Sequence, residues 1–431
     1  MSNVVHLHRP PPQIAHYLRI GYREHVLGDR MRAEGRFAEQ GFVFDACHVE
    51  AQADLIQDLR GERRQLILDT NIAEQSVVGR FSGTVANAPW ARKDSPLEAE
   101  DFQAGTNRSV LEPIARFAVA KGFHTVLSPA HYLGGNQFFW FDVDCRSCEA
   151  LREALDREGG QHIGINYALI LDNAQIKDAE LVKRVVGALQ GLPIAAVWLR
   201  VAGFGADATG AGIDKMARAV LQFHELGIPI IMDRLGGQTA LALSSVGVTS
   251  GYTNGMKGKD GFQTGGWLKP RGGGGGGNDR AVFVSGLDRR VTVKEMKALF
   301  DASATARSVY GCRDTGGCSS IDAMLREPEA HYLREQQRTL ADLGQVPEAR
   351  RPDYYLDNHL DAMRLKAERS ARLKKAPEDF TKKAEKATLR LTRMKTALER
   401  TFQNIGQIPF APEATVPSSV AAPGIASRNR P

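Results

Sequence analysis

Residues 228–255 read IPIIMDRLGGQTALALSSVGVTSGYTNG. An apolar run, Ile228–Met232, stops at the polar stretch Asp233-Arg234-Leu235-Gly236-Gly237. A short apolar helix pattern follows over Thr239–Ser245. A second apolar run opens at Val246 and stops in Ser250-Gly251-Tyr252-Thr253-Asn254-Gly255. The order is strand, polar loop, helix, strand, polar loop. Runs without alternation of polar and apolar residues suit strands buried on both faces, as in a parallel sheet. Functional groups then collect where the strands end. A structural alternative is a buried unit whose glycine pairs serve only to turn the chain.

The same grammar extends toward the N-terminus. Phe42–Val49 (FVFDACHV) reads as a strand, with a helix at Gln52–Arg60. Gln65–Asp69 is the next strand and ends in Asp69-Thr70-Asn71. A long polar stretch at 80–108 precedes a helix at Ser109–Lys121 and a strand at His124–Leu127. That strand ends in Ser128-Pro129-Ala130-His131. Asp144 is placed to cap a helix running to about Arg157. Strand Asn166–Leu171 ends in Asp172-Asn173, helix Ala179–Leu189 follows, and strand Ala195–Val201 carries Arg200. Helix Ile213–Leu226 leads back to the opening stretch. Strands alternating with helices imply a parallel sheet, and this number of units predicts a closed (β/α)8 TIM-type barrel with a C-terminal helical extension. A doubly wound open sheet is the rival, weakened because no G-x-G-x-x-G follows the first clear strand.

The predicted organisation is a lead at 1–41 and a barrel at 42–311 that carries a glycine-rich basic insertion at 256–280. A possible zinc-binding segment follows at 312–345, then a basic helical extension at 346–407 and a disordered tail at 408–431. One of two late strands, Ala281–Ser285 or Ala306–Tyr310, is expected to close the barrel.

The 431 residues are 42% hydrophobic and 25% charged, with a formal charge of +6. That balance is ordinary for a soluble protein and mildly favours an anionic partner. No run approaches the roughly 18 apolar residues of a membrane span, and no apolar signal core opens the chain, so a cytoplasmic protein without membrane contact is expected. Five cysteines, an odd and sparse set, do not make a disulfide framework. Over residues 361–400, 13 Lys or Arg face 6 Asp or Glu. Nucleic acid is therefore a candidate partner of these helices, and a solvated helical hairpin is the bland reading.

In a barrel of this type the site lies where strands meet their following loops. The strand ends supply Asp69, Asn71, His131, Asp172, Arg200, Asp233, Arg234, Tyr252 and Asn254. Asp69 and Asp233 each end an apolar strand, where a carboxylate must be solvated or paired. They are the candidate nucleophile and general acid or base. The alternative has them capping helices or pairing with Arg200 or Arg234. The other seven are candidates for substrate binding. Cys312-x5-Cys318-x12-His331 offers two thiolates and an imidazole, the donors zinc prefers. Cys145-x2-Cys148 lacks a second pair and reads as ordinary thiols.

A parallel barrel followed by a Cys/His cluster and a basic helical tail resembles the tRNA-guanine transglycosylase superfamily. The resemblance is architectural and covers about residues 42–345. The family's Asp-Ser-Gly-Gly stretch has loose counterparts in Asp69-Thr70-Asn71 and in Asp233-Arg234-Leu235-Gly236-Gly237. Its compact C-x-C-x2-C…His pattern is not reproduced by Cys312, Cys318 and His331. The resemblance implies two strand-end aspartates, base exchange through a covalent aspartyl–nucleic acid intermediate, and a zinc subdomain after the barrel. A non-catalytic barrel that binds nucleic acid or protein, and a small-molecule barrel enzyme of unrelated chemistry, are the alternatives.

Overall fold

The computed structural model describes residues 13–35, 37, 39–257, 261–270, 280–312, 318, 320–405 and 412. The glycine run 272–277 and nearly all of the tail at 408–431 lie outside the described residues.

Eight parallel strands close into a barrel. They are β1 (Ala15–Ile20), β2 (Gly41–Asp45), β3 (Gln65–Asp69), β4 (Thr125–Leu127), β5 (Gly164–Asp172), β6 (Ala196–Ala202), β7 (Ile230–Met232) and β8 (Gly251–Gly255). Each pairs with the next, and β1 pairs with β8 from Ala15 opposite Gly251 to Arg19 opposite Gly255. At that seam a Cβ on residue 251 would meet the Ala15 carbonyl oxygen at 2.0 Å, so only glycine lets the sheet close there.

The barrel thus begins within the stretch read as a lead, and neither late strand closes it. Ala281–Val284 (β9) pairs antiparallel with Arg289–Thr292 (β10) in a separate ribbon. Residues 304–310 are helical, with Ser303 as the N-cap. The strand expected from Val246 also shifts. Residues 246–250 form a turn, and β8 is the polar stretch GYTNG itself.

Side chains alternate along each strand. Ala15, Tyr17, Val43, Ile67, Ala168, Trp198 and Ile231 fill the barrel interior in one apolar cluster. The same parity points Arg19, Asp45, Asp69, Arg200, Asp233 and Thr253 inward at the carboxyl ends. Tyr252 and Asn254 therefore point outward. Helices cover the outer face. Ala179–Leu189 starts on Asp178, whose carboxylate accepts from the N–H groups of Glu180 and Leu181. Its buried Val182, Val185, Val186 and Leu189 recur at helical spacing.

The C-terminal helices Asp361–Ala371 and Glu378–Ile405 pack against each other, and the longer one also lies along Gly210–Gln222 of the barrel. Residue 210 permits that approach, since a Cβ there would meet the Arg393 carbonyl oxygen at 2.2 Å. Arg390 is buried and pairs with Asp288. That pair ties the helix to the ribbon, and Arg390 Nη1 also donates to the Ala206 carbonyl of the barrel at 2.7 Å. No helix among the described residues is long and apolar enough to cross a membrane.

Candidate functional site

The carboxyl ends of the strands carry a dense charge cluster. Arg19 Nε donates to Asp233 Oδ1 at 2.8 Å and Nη2 donates to Oδ2 at 2.7 Å. Arg19 Nη1 also lies 2.8 Å from Asp69 Oδ2 and 3.1 Å from Asp45 Oδ1. Arg200 Nη2 bridges the two sharpest candidates, 2.8 Å from Asp69 Oδ2 and 2.6 Å from Asp233 Oδ2. Thr253 Oγ1 donates to Asp233 Oδ1 at 2.6 Å. Arg234 is more loosely held, at 3.5 Å from Glu74, 3.8 Å from Asp45 and 3.9 Å from Asp69. Three guanidiniums thus face four carboxylates.

This geometry joins Asp69, Asp233, Arg200 and Arg234, as the sequence places them, and adds Arg19, Asp45 and Glu74. Burial alone would raise the pKa of Asp233, but the guanidiniums of Arg19 and Arg200 outweigh it and hold the carboxyl well below the usual carboxylate range. Asp69 is likewise pushed up by burial and pulled far down by Arg200 and Arg19. Both are ionised at neutral pH, and neither holds a proton to donate as a general acid. Arg19 and Arg200 are buried together with them. Ion pairs of this kind need saturated hydrogen bonding to repay desolvation, and Asp233 has it, with donors on both oxygens.

A roof covers the cluster. Phe262 and Trp267 pack with Tyr132, Ile170, Ala202, Ala73 and Val77. Gly203 N–H donates to the Phe262 carbonyl at 3.1 Å, and Gly79 N–H donates to the Trp267 carbonyl at 2.9 Å. The Phe262 ring lies 5.4 Å from the Arg200 guanidinium carbon and 5.9 Å from that of Arg234. Beneath this roof the side chains of Asp69 and Asp233 are 7% and 1% exposed, whereas Arg234 and Asp45 retain 27% and 22%. The mouth is therefore open toward Arg234 and Asp45.

Two residues here adopt left-handed backbone without being glycine, Asn71 (φ 56°) and Arg234 (φ 57°). Such conformations cost free energy and concentrate at functional sites. Asn71 N–H donates to Asp69 Oδ1 at 3.1 Å, and its own Oδ1 accepts from Cys47 N–H at 3.2 Å. Asn71 thus braces β2 against β3. Burial pushes the neighbouring Cys47 thiol up, well away from a reactive thiolate.

The remaining predicted binding residues lie elsewhere. His131 Nδ1 is 2.5 Å from Asp144 Oδ1, and its backbone N–H donates to Asp144 Oδ2. The ring stacks on Trp140 at 3.8 Å with Phe102 at its edge. Asp144 is not a cap; it sits inside the helix Trp140–Arg157 and commits His131 to that helix. Burial raises the Asp144 pKa, opposed by His131. Asp172 Oδ1 accepts from the N–H groups of Ala174 and Gln175, so it caps the turn after β5.

Asn254 faces outward. Its Nδ2 donates to Tyr332 Oη at 2.7 Å and to Gln336 Oε1 at 3.0 Å, while His16 Nε2 lies 2.8 Å from its Oδ1. Burial lowers the pKa of His16, which favours the neutral ring. Tyr252 packs beside His16 on the same face. Asn254 fastens the barrel to the helix Pro328–Gly344, and neither it nor Tyr252 faces the mouth.

The Cys/His cluster does assemble. The Sγ atoms of Cys312 and Cys318 and a ring nitrogen of His331 all lie within 4.8 Å of one another. Cys318 Sγ is 3.4 Å from His331 Nδ1. Tetrahedral bonds to a shared zinc would set this S–N edge at about 3.6 Å. Arg334 Nη1 donates to Cys318 Sγ at 3.4 Å, and His331 hydrogen-bonds to the backbone of Phe283. Contacts of this kind orient the ligands in metal sites.

Arg19 and Asp45 escape the sequence reading. Asp45 ends an apolar strand as Asp69 does, so its signal was present. Arg19 interrupts a short strand and carries none.

No family model matches the sequence, and no curated protein matches it. Solved structures are similar at low identity, three of them as follows. A mandelate racemase/muconate lactonizing family protein from Azoarcus sp. EbN1 is 10% identical over 55% of this chain and 48% of that one, with a TM-score of 0.31. KGPDC from Streptococcus mutans is 12% identical over 60% of this chain and 94% of that one, at 0.34. The 3-dehydroquinate dehydratase from Enterococcus faecalis is 12% identical over 59% and 92%, at 0.36. The chain spans about half the length of the first of these. The fold class rests on the strand pairing itself, a closed eight-stranded parallel barrel.

Proposed function

We propose that the chain is a barrel enzyme whose site is the mouth lined by Arg234 and Asp45, acting on an anionic nucleotide or nucleic-acid base. The observation that carries this reading is Arg234. Its guanidinium is held by long contacts only, its Nε is buried without a hydrogen-bond partner, and its backbone is left-handed. An under-used planar donor fork suits a phosphate or carboxylate. Phe262, buried in the roof, holds this guanidinium from one side with its ring.

In this reading Asp69 and Asp233 keep their place at the site. They hold Arg19 and Arg200 rigid and set the potential beneath the substrate. Base exchange of the transglycosylase type requires one of them to leave its arginine pair before attack. A zinc ion held by Cys312, Cys318 and His331 belongs to the same proposal, supported by the donor set and the S–N spacing.

A second reading, nucleic-acid binding, is favoured by one observation. Lys382, Lys386, Arg393 and Arg400 are exposed on one face of the long C-terminal helix, spaced by four, seven and seven residues. That stripe is about 27 Å long, enough to track a phosphate backbone.

The test of the main reading is thermal denaturation of the full chain with a panel of nucleoside monophosphates and with the bare nucleosides. Stabilisation by the phosphates that the nucleosides do not produce is expected. Equal response to both, or response to neither, overturns the proposal.

A further inference from the structure

The region after the barrel contains a polar cavity of about 420 Å³. It lies between the β9 strand, the helix Ala304–Tyr310 and the helices that carry His331 and Lys366. Two of the three metal-ligating side chains, Cys312 and His331, form part of its wall. The rest includes Tyr310, Glu335, Arg338 and Lys366.

Three features set this wall apart from an ordinary crevice. The Tyr310 hydroxyl is buried and makes no hydrogen bond, although the residue is only 8% exposed. A buried hydroxyl without a partner costs on the order of 1–3 kcal/mol, which a bound ligand would recover. The Lys366 ammonium lies 5.1 Å from the Tyr310 ring centroid, and Glu335 in the same wall acts on it as an opposite charge. Glu335 itself accepts from Arg338 at 3.0 Å. Two cations therefore face one carboxylate. A divalent ion bound by two thiolates is neutral overall, so the wall keeps one net positive charge.

Among the described residues the metal cluster offers three ligands. Structural zinc sites take four protein ligands, whereas sites with three keep the fourth position for water or substrate. We propose that the fourth position opens into this cavity, and that the cavity binds a small oxyanion, a carboxylate or phosphate group. One ligand oxygen would complete the metal's coordination while Lys366 and the Tyr310 hydroxyl grip the others. The inference rests on the metal reading given above and adds an exchangeable ligand to it.

Cobalt(II) tests both halves separately. The full chain is stripped of metal and titrated with cobalt(II), and its thiolate and visible bands are recorded. Inorganic phosphate and acetate are then added. The expected result is one cobalt per chain with tetrahedral bands that shift with either anion. Lys366→Met should keep the cobalt spectrum and weaken the anion response by about tenfold, and Tyr310→Phe should weaken it less. Cys312→Ser should lose the cobalt bands. Cobalt uptake with bands indifferent to both anions, in the parent chain, overturns the exchangeable position alone. Absence of cobalt–thiolate bands from the parent chain overturns the metal reading on which it stands.

Discussion

Asp233→Asn is the sharpest perturbation of the barrel mouth. The side chain is 1% exposed and accepts from Arg19 Nε and Nη2, from Arg200 Nε and Nη2, and from Thr253 Oγ1. Asparagine keeps the shape, removes the charge and turns two N–H donors toward guanidinium donors. Arg19 and Arg200 are then left buried with Asp69 and the partly exposed Asp45. Breaking a buried pair in this way costs about 3–5 kcal/mol. The pH dependence has a defined sign. Burial and the two arginines together leave the folded pKa of Asp233 far below its unfolded value. Its stabilisation is therefore full above about pH 4, the unfolded range, and declines as pH falls further toward the folded pKa. By pH 3 protonation of the unfolded chain removes about 1 kcal/mol of it. Urea denaturation of both proteins at pH 7 and pH 3 measures this directly. The gap between parent and variant should be about 3–5 kcal/mol at pH 7 and narrower by about 1 kcal/mol at pH 3. A gap below about 1 kcal/mol at pH 7, or one that widens on acidification, would refute the reasoning.

Other consequences follow from the same contacts. Asn254→Ala strands His16, Tyr332 and Gln336 in a buried site and should cost about 3 kcal/mol by urea denaturation; a neutral result means the barrel does not lean on the helix Pro328–Gly344 through this network. Gly79→Ala places a Cβ 2.1 Å from the Gly266 carbonyl oxygen and within 2.7 Å of that of Trp267, so the roof must lift; amide exchange over 261–270 should quicken, and unchanged exchange would show that the roof is not seated on residue 79. Lys386→Gln with Arg393→Gln should flatten the salt dependence of any duplex binding by up to about two in log–log slope, and an unaltered slope removes this face from nucleic-acid contact.

What could be read in advance was decided by the polarity of each strand. The segments LILD (66–69) and YALILD (167–172) are apolar runs ending in aspartate, and both lie in barrel strands. The helix Ala179–Leu189 has its expected bounds to the residue; Asp178 caps it and valines mark its buried face. β1, AHYLRI, was not legible. Its arginine satisfies carboxylates across the barrel, and its histidine bonds Asn254, which is 238 residues away. Nothing local signals either partner. β8, GYTNG, is a strand almost without apolar side chains, so the apolar Val246 and Val248 drew the strand reading into a turn. That shift by a few residues displaced Tyr252 and Asn254 from the outer face to the mouth, because strand parity decides which way a side chain points. Cys312, Cys318 and His331 were brought together as their donor types suggested. The cavity beside them depends on Lys366, 35 positions beyond His331, and no sequence spacing could have shown it.

The central claim is that Arg234 receives an anionic ligand at the barrel mouth. Calorimetric titration of the parent chain and of Arg234→Gln with a nucleoside monophosphate tests it most directly. The account predicts one binding site in the parent chain and affinity at least about tenfold weaker in the variant, a difference of about 1.4 kcal/mol, with the fold unchanged by circular dichroism. Equal affinity in the two proteins, or no binding to the parent chain, would contradict it.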